Sequence, residues 1–150
     1  MSLTVTKGLQ SEIFVPITPT PVWTPVTMEL KDMSIALVTA AGVHLKTDKK
    51  FNLAGDFTFR EVPGDAKAEE MMVTHGGYDN GDVNKDINAM FPLIRLQEMA
   101  KEGFIREVAP VHFGFMGGGG DQEKLHDETG PQIAAKLKEE GVDAVLMTAG

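Results

Sequence analysis

The 150-residue chain contains no cysteine. That single absence excludes disulfides, thiolate metal sites and a thiol nucleophile. Positive charge is also short: 14 Lys and Arg stand against 22 Asp and Glu, a formal net charge of −8. A surface of that sign gives no electrostatic basis for binding a phosphate backbone, so neither nucleic acid nor an anionic membrane is expected as a partner. No apolar run approaches the roughly 20 residues that span a bilayer, and the amino terminus lacks the pattern of a signal peptide. The sequence therefore reads as cytoplasmic. Serine occurs only at Ser2, Ser11 and Ser34, none of them in a nucleophile elbow. What is present, 42% apolar and 24% charged residues, suffices for one packed core.

Proline is unevenly spread. Pro16, Pro19, Pro21 and Pro25 fall within ten residues, interleaved with Thr, Val and the lone Trp23. Proline fixes φ and biases its predecessor away from helix, so this stretch predicts an extended arm within residues 1–33, ahead of an α/β domain over 34–150. Such an arm lies either on its own sheet or on another subunit.

Ser34–Ala40 is an apolar, β-branched run ending at Ala41-Gly42, the pattern of a buried strand. Residues 57–62 read as an edge strand or hairpin arm ending at Pro63-Gly64. Residues 71–74, 111–116 and 143–148 read as further strands. The spacing of Phe91, Ile94 and Glu98 and of Leu96, Met99 and Ala100 predicts an amphipathic helix with Pro92 in its first turn, terminated by Gly103. A second helical stretch follows Gly117–Gly120, is expected to break at Thr129-Gly130-Pro131, and ends at Gly141. Both helices share one grammar, in which charged residues close the helix, glycine supplies a left-handed cap and an apolar residue enters the next strand. The fold class is α/β: an open, mostly parallel sheet with flanking helices and right-handed crossovers.

If the strands at 34–40, 71–74, 111–116 and 143–148 are parallel, the segments after them gather at one carboxyl edge, where open α/β sheets bind ligands. His75, Tyr78 and Asp79 combine an imidazole, a phenol and a carboxylate in one glycine-bearing loop. They are candidates for proton transfer or positioning, against the alternative that Asp79-Asn80-Gly81 simply turns and Tyr78 packs. Gly76, Gly77, Gly117, Gly118, Gly119 and Gly120 are candidate substrate-binding positions. The tetrad either approaches a substrate or partner closely, cradles an anion, or makes a plain turn. It lacks the residues of a P-loop and the spacing of a dinucleotide fold. Asp82, Asn84 and Asp86 imitate the opening of a calcium loop, but Ile87 and Leu93 occupy the positions that need Gly and Glu, so helix capping by Asn84 or Asp86 is expected and no metal site. His112 reads as a structural histidine in a strand, His126 as solvated, and His44 as an edge residue with no evident partner.

Residues 1–30, 35–46 (IALVTAAGVHLK), 74–93 (THGGYDNGDVNKDINAMFPL), 111–121 (VHFGFMGGGGD) and 141–150 (GVDAVLMTAG) resemble the selenoprotein B family of glycine, sarcosine, betaine and D-proline reductases, most of all its D-proline-reducing branch. In that family the strand matching residues 143–148 runs into a glycine and then selenocysteine, encoded by UGA. The resemblance therefore implies a chain that breaks off at the selenocysteine position, with the fold incomplete at its carboxyl end. It further implies an oxidoreductase: selenolate attack on the α-carbon of a small amino-acid substrate, a pyruvoyl-containing partner subunit, an oligomeric complex, and for D-proline reductive ring cleavage to 5-aminovalerate. A selenol between a parallel strand and a helix would be favoured as selenolate by the positive helix end. A non-catalytic, partner-binding module is the competing expectation.

Overall fold

The computed structural model describes residues 24–117 and 121–149. Most of the expected arm, Gly118, Gly119, Gly120 and Gly150 lie outside them. In chain order the elements are β1 (Ser34–Thr39), β2 (Val43–Leu45), β3 (Phe59–Pro63), β4 (Met71–Val73), α1 (Leu93–Lys101), β5 (Glu107–Val108), β6 (Val111–Phe115), α2 (Gln122–Lys124), α3 (Gly130–Glu139) and β7 (Ala144–Thr148).

Every residue of β1 is buried, which is why its sequence is continuously apolar instead of alternating. Ile35 and Leu37 enter one cluster with Leu93 and Leu96 of α1. Ala36 and Val38 enter another with Ile133 and Leu137 of α3. The two helices therefore cover opposite faces of the sheet. Ile35 is partnered by both Val108 and Ala144, and Val38 by both Phe113 and Met147. A strand has one neighbour per flank, so β5 and β6 share one side of β1 and β7 occupies the other. These strands are parallel to β1, as expected, while β3 pairs antiparallel with β6 as an edge strand.

Two expectations are corrected. Residues 71–73 are not a strand of the parallel sheet: β4 pairs antiparallel with β2 in a separate two-stranded sheet. The chain reverses at Gly42 straight into β2, and the outer edge of β4 is taken by the Asn84 amide, whose Oδ1 accepts the Val73 N–H (2.8 Å) and whose Nδ2 donates to the Val73 carbonyl (3.3 Å). Nor does the second helix break at Thr129-Gly130-Pro131. It runs on through a π-helical turn, Leu125–Thr129, in which the Gly130 N–H reaches the Leu125 carbonyl. Pro131 lacks an N–H and would press on a carbonyl in an ordinary turn; the wider turn makes room for it.

The helix ends match their shared grammar. Gly103 (φ 78°) and Gly141 (φ 66°) are left-handed. At α1 the N–H groups of Gly103 and Phe104 donate to the Ala100 and Met99 carbonyls, and at α3 those of Gly141 and Val142 donate to Lys138 and Leu137. Both are Schellman caps. At the amino edge, Asp143 Oδ2 accepts the Ser34 N–H (2.8 Å) and lies 3.2 Å from Arg106, clipping together the starts of β1, β5 and β7. No helix among the described residues is long and apolar enough to cross a membrane.

Between β5 and β6 the chain breaks at Ala109-Pro110, and a side chain fills the missing rung. Buried His112 accepts the Leu37 N–H at Nδ1 (2.8 Å), while its Nε2 has no partner among the described residues and the ring meets Phe91 edge-on at 6.0 Å. Burial pushes its pKa from 6.5 down to about 4. An unfolded chain thus takes up a proton near pH 6.5 that the native ring refuses until about pH 4. Stability should fall as pH drops across that window, by roughly 3 kcal/mol at full effect. His112→Asn keeps an acceptor near Nδ1 but cannot titrate, so denaturant midpoints measured from pH 7 to 4 should fall less steeply in the variant. Equal slopes would remove His112 as the cause.

Candidate functional site

The carboxyl edge is organised around the turn that leaves β1. Thr39 Oγ1 accepts the Ala41 N–H (3.1 Å). Ala40 donates to the Thr148 carbonyl at the end of β7 (3.1 Å) and accepts from the Gly117 N–H after β6 (3.3 Å). Gly42 donates to Phe115 (2.9 Å) and accepts from Thr74, where β4 ends (3.0 Å). This short turn thus receives the ends of β4, β6 and β7. Gly42 is held at φ +74°, and a Cβ there would stand 2.4 Å from the Thr74 carbonyl oxygen. Only glycine permits this approach. Although β4 belongs to another sheet, its exit loop still arrives at the expected edge.

That loop carries His75, Tyr78 and Asp79. His75 and Tyr78 are brought together: their ring centroids are 4.9 Å apart with planes at 31°. The Tyr78 hydroxyl donates to the Ala41 carbonyl (2.8 Å), fastening the loop to the β1 turn. His75 Nδ1 accepts the Gly77 N–H (2.9 Å), and Asn80 Nδ2 donates to the His75 carbonyl (2.9 Å). An Nδ1 occupied as acceptor leaves the proton of the neutral ring on Nε2. Partial burial lowers the His75 pKa and raises that of Tyr78, so both are uncharged at neutral pH. Asp79 is turned elsewhere. It is exposed, and its Oδ1 accepts the Gly81 N–H (2.8 Å) in a local turn.

The other candidates divide. Gly76 and Gly77 are exposed in the His75 loop. Gly117 sits against Ala40 and its carbonyl accepts from Gln122 Nε2 (3.1 Å), while Asp121 caps α2 by accepting the Lys124 N–H. His44 is not a partnerless edge residue. It is fully buried, with Nδ1 2.6 Å from the Leu45 carbonyl and Nε2 2.9 Å from Thr74 Oγ1, so it braces the base of the His75 loop. Its neighbours Val43 and Leu45 were the available hint. His126 is exposed and lies beside Asp127. Asp82 pairs with Lys85, Asn84 closes β4 instead of capping a helix, and Asp86 accepts the Asn88 N–H to cap the short 3-10 turn Ile87–Ala89. Among the described residues no three His, Asp or Glu side chains converge as metal ligands. Ala41, Thr74 and Thr148 were not candidates; they act through backbone or hydroxyl groups that no motif marks.

Comparison with known proteins gives a consistent result. The family profile described as glycine/sarcosine/betaine reductase selenoprotein B matches residues 6–150. D-proline reductase subunit gamma of Acetoanaerobium sticklandii is 74% identical over 148 residues, covering 99% of this chain and 61% of the relative. Glycine reductase complex component B subunit gamma of Carboxydothermus hydrogenoformans is 32% identical over 83% of this chain and 29% of its own. Sarcosine reductase complex component B subunit beta of Peptoclostridium acidaminophilum is 32% identical over 93% and 34%. The chain thus spans about three fifths of the first relative and about a third of the others. No solved structure matches.

Tyr78→Phe deletes the bond to Ala41 while keeping the ring, and should cost about 1 kcal/mol in thermal denaturation. In a proton-nitrogen NMR titration, His75 should carry its proton on Nε2 and titrate below 6.5 in the parent chain, moving toward 6.5 in the variant as the loop loosens. A parent midpoint at or above 6.5 would contradict the burial-driven shift.

Proposed function

The chain belongs to the glycine/sarcosine/betaine reductase selenoprotein B family, and on that premise we propose that it forms part of the selenocysteine-bearing subunit of an oxidoreductase complex that cleaves the ring of D-proline reductively to 5-aminovalerate. The observation that carries the reading is the convergence at Ala40–Gly42 of the His75 loop, Gly117 and the end of β7. The 74% identity to a D-proline reductase subunit supports the substrate. Glycine and sarcosine, named for relatives at 32%, and betaine are the alternatives.

The residues present suit a reactive selenium next to Gly150. Thr148, two positions earlier, is held on both sides: its carbonyl accepts from Ala40 and its hydroxyl donates to the Met90 carbonyl (2.6 Å). A strand end fixed in this way holds Thr148 beside the turn that also receives the His75 loop and Gly117. In the complex a selenocysteine would supply the nucleophile for the α-carbon, a pyruvoyl carbonyl on the partner subunit would withdraw electrons from the substrate nitrogen, and a thiol would be the reductant. The contribution of this chain is hydrogen bonding and placement. Neutral His75 donates its Nε2–H as a hydrogen bond to the nitrogen on which electron density builds as the C–N bond breaks, and keeps that proton. Tyr78 positions His75 through Ala41, and Asp79 shapes the loop through its turn at Gly81. Gly76, Gly77 and Gly117 leave room for the substrate to approach main-chain amides, and Gly118, Gly119 and Gly120 are kept as substrate-binding candidates on sequence alone.

His75→Asn keeps an acceptor for the Gly77 N–H but lacks the Nε2 proton. In the selenium-containing complex it should lower kcat by on the order of 100-fold or more, with KM little changed. Unchanged kinetics reject the role. Assays with D-proline, glycine, sarcosine and betaine decide the substrate. Mass spectrometry of protein from a selenium-inserting host should show a longer, selenium-containing chain; a UAA or UAG codon after Gly150 would overturn the selenocysteine assignment.

A further inference from the structure

The two outer strands of the sheet are built differently. On one edge, β3 carries Arg60 and Glu61 and ends in Pro63, with Glu61 paired to Lys136 at 2.8 Å. Charges and proline are how a sheet protects an edge that stays an edge. On the other, β7 reads Ala-Val-Leu-Met-Thr, with no charge and no proline. Its side chains are apolar on both faces, the composition of a strand inside a parallel sheet. Val145, Leu146 and Met147 are nevertheless 41%, 44% and 70% exposed.

The register identifies which groups lack partners. The Ala40 N–H donates to the Thr148 carbonyl and Thr148 is in register with Thr39, so Ala144, Leu146 and Thr148 turn their main-chain groups toward β1. Alternation turns the N–H and C=O of Val145 and Met147 to the open side, where no strand among the described residues meets them. Beside that edge, between α3 and β7, lies a groove of about 270 Å³ lined by Val38, Phe115, Leu125, Ile133, Val145 and Met147.

We propose that β7 is an interior strand of a longer sheet, and that its open edge receives a parallel strand with its crossover helix from the two fifths of a full-length subunit that lie outside the match. The inference rests on the family reading, since the A. sticklandii relative is covered over only 61% of its length. Handedness supplies the helix position. The β6-to-β7 crossover already lays α3 on the Val38 face, and a next crossover in the same direction with the same hand puts its helix on that face too, in the groove. Symmetric pairing with a second copy would satisfy the strand edge but would bring the groove no crossover helix.

Residue-resolved hydrogen exchange on the full-length subunit tests this. Val145 and Met147 amides should be protected about as well as Leu146 there, and should exchange at least 100-fold faster than Leu146 in the 150-residue chain. Met147→Lys should leave the melting temperature of the 150-residue chain unchanged and lower that of the full-length subunit by several degrees. Fast exchange at both positions in the full-length subunit overturns the proposal. So does protection that disappears on dilution to monomer, which would assign the edge to a second copy. Turnover of the same preparation reports separately on the functional reading, because exchange protection depends on neither selenium nor substrate.

Discussion

A strand buried on both faces must find all its hydrogen bonds along its two flanks, and β1 is such a strand. Its side chains are fully committed to the two cores, so nothing but neighbouring main chain, or a group that imitates it, can satisfy the peptide units. Most rungs come from β5, β6 and β7. Where Pro110 interrupts the flank, an imidazole nitrogen of His112 takes the Leu37 N–H. The cost of that substitution is a ring nitrogen with no partner among the described residues and a group that must stay neutral. Because β1 is fixed from both sides, the turn at its end is fixed as well, and the edge loops take their positions from it.

The resulting site is mostly backbone. Carbonyls and amides of Ala40, Ala41 and Gly42 hold the ends of three strands and the Tyr78 hydroxyl. Few side chains stand on this frame, and partial burial shifts the pKa values of His75 and Tyr78 in opposite directions toward the same uncharged state.

Legibility in the sequence followed the length of each signal. The five- and six-residue apolar strands and the two glycine caps were readable because each repeats a local physical pattern, side-chain periodicity or a left-handed φ. Met71–Val73 was not, because three apolar residues define neither a partner nor a direction; that was decided by β2 and by Asn84, eleven residues away. The His75 loop became a candidate through its residue types, yet spacing alone could not say that Tyr78 turns inward and Asp79 outward. His44 was missed for a related reason: its bond to Thr74 spans thirty residues. The break expected at Pro131 rested on a sound local rule, and a wider turn offered the chain another way to obey it.

That π-helical turn also sets a phase. One extra residue in a helical turn rotates everything before it by about 100° relative to the α-helix beyond it. The face of α3 that buries Ile133 and Leu137 is therefore out of step with the turn containing Asp121 and Gln122. The offset lets one continuous helical segment serve two directions, its later turns gripping the sheet while its first residue group faces the Gly117 carbonyl. Shortening the segment by one residue would restore a uniform pitch and swing Gln122 off that carbonyl, uncoupling the rim from the core without unwinding a single turn.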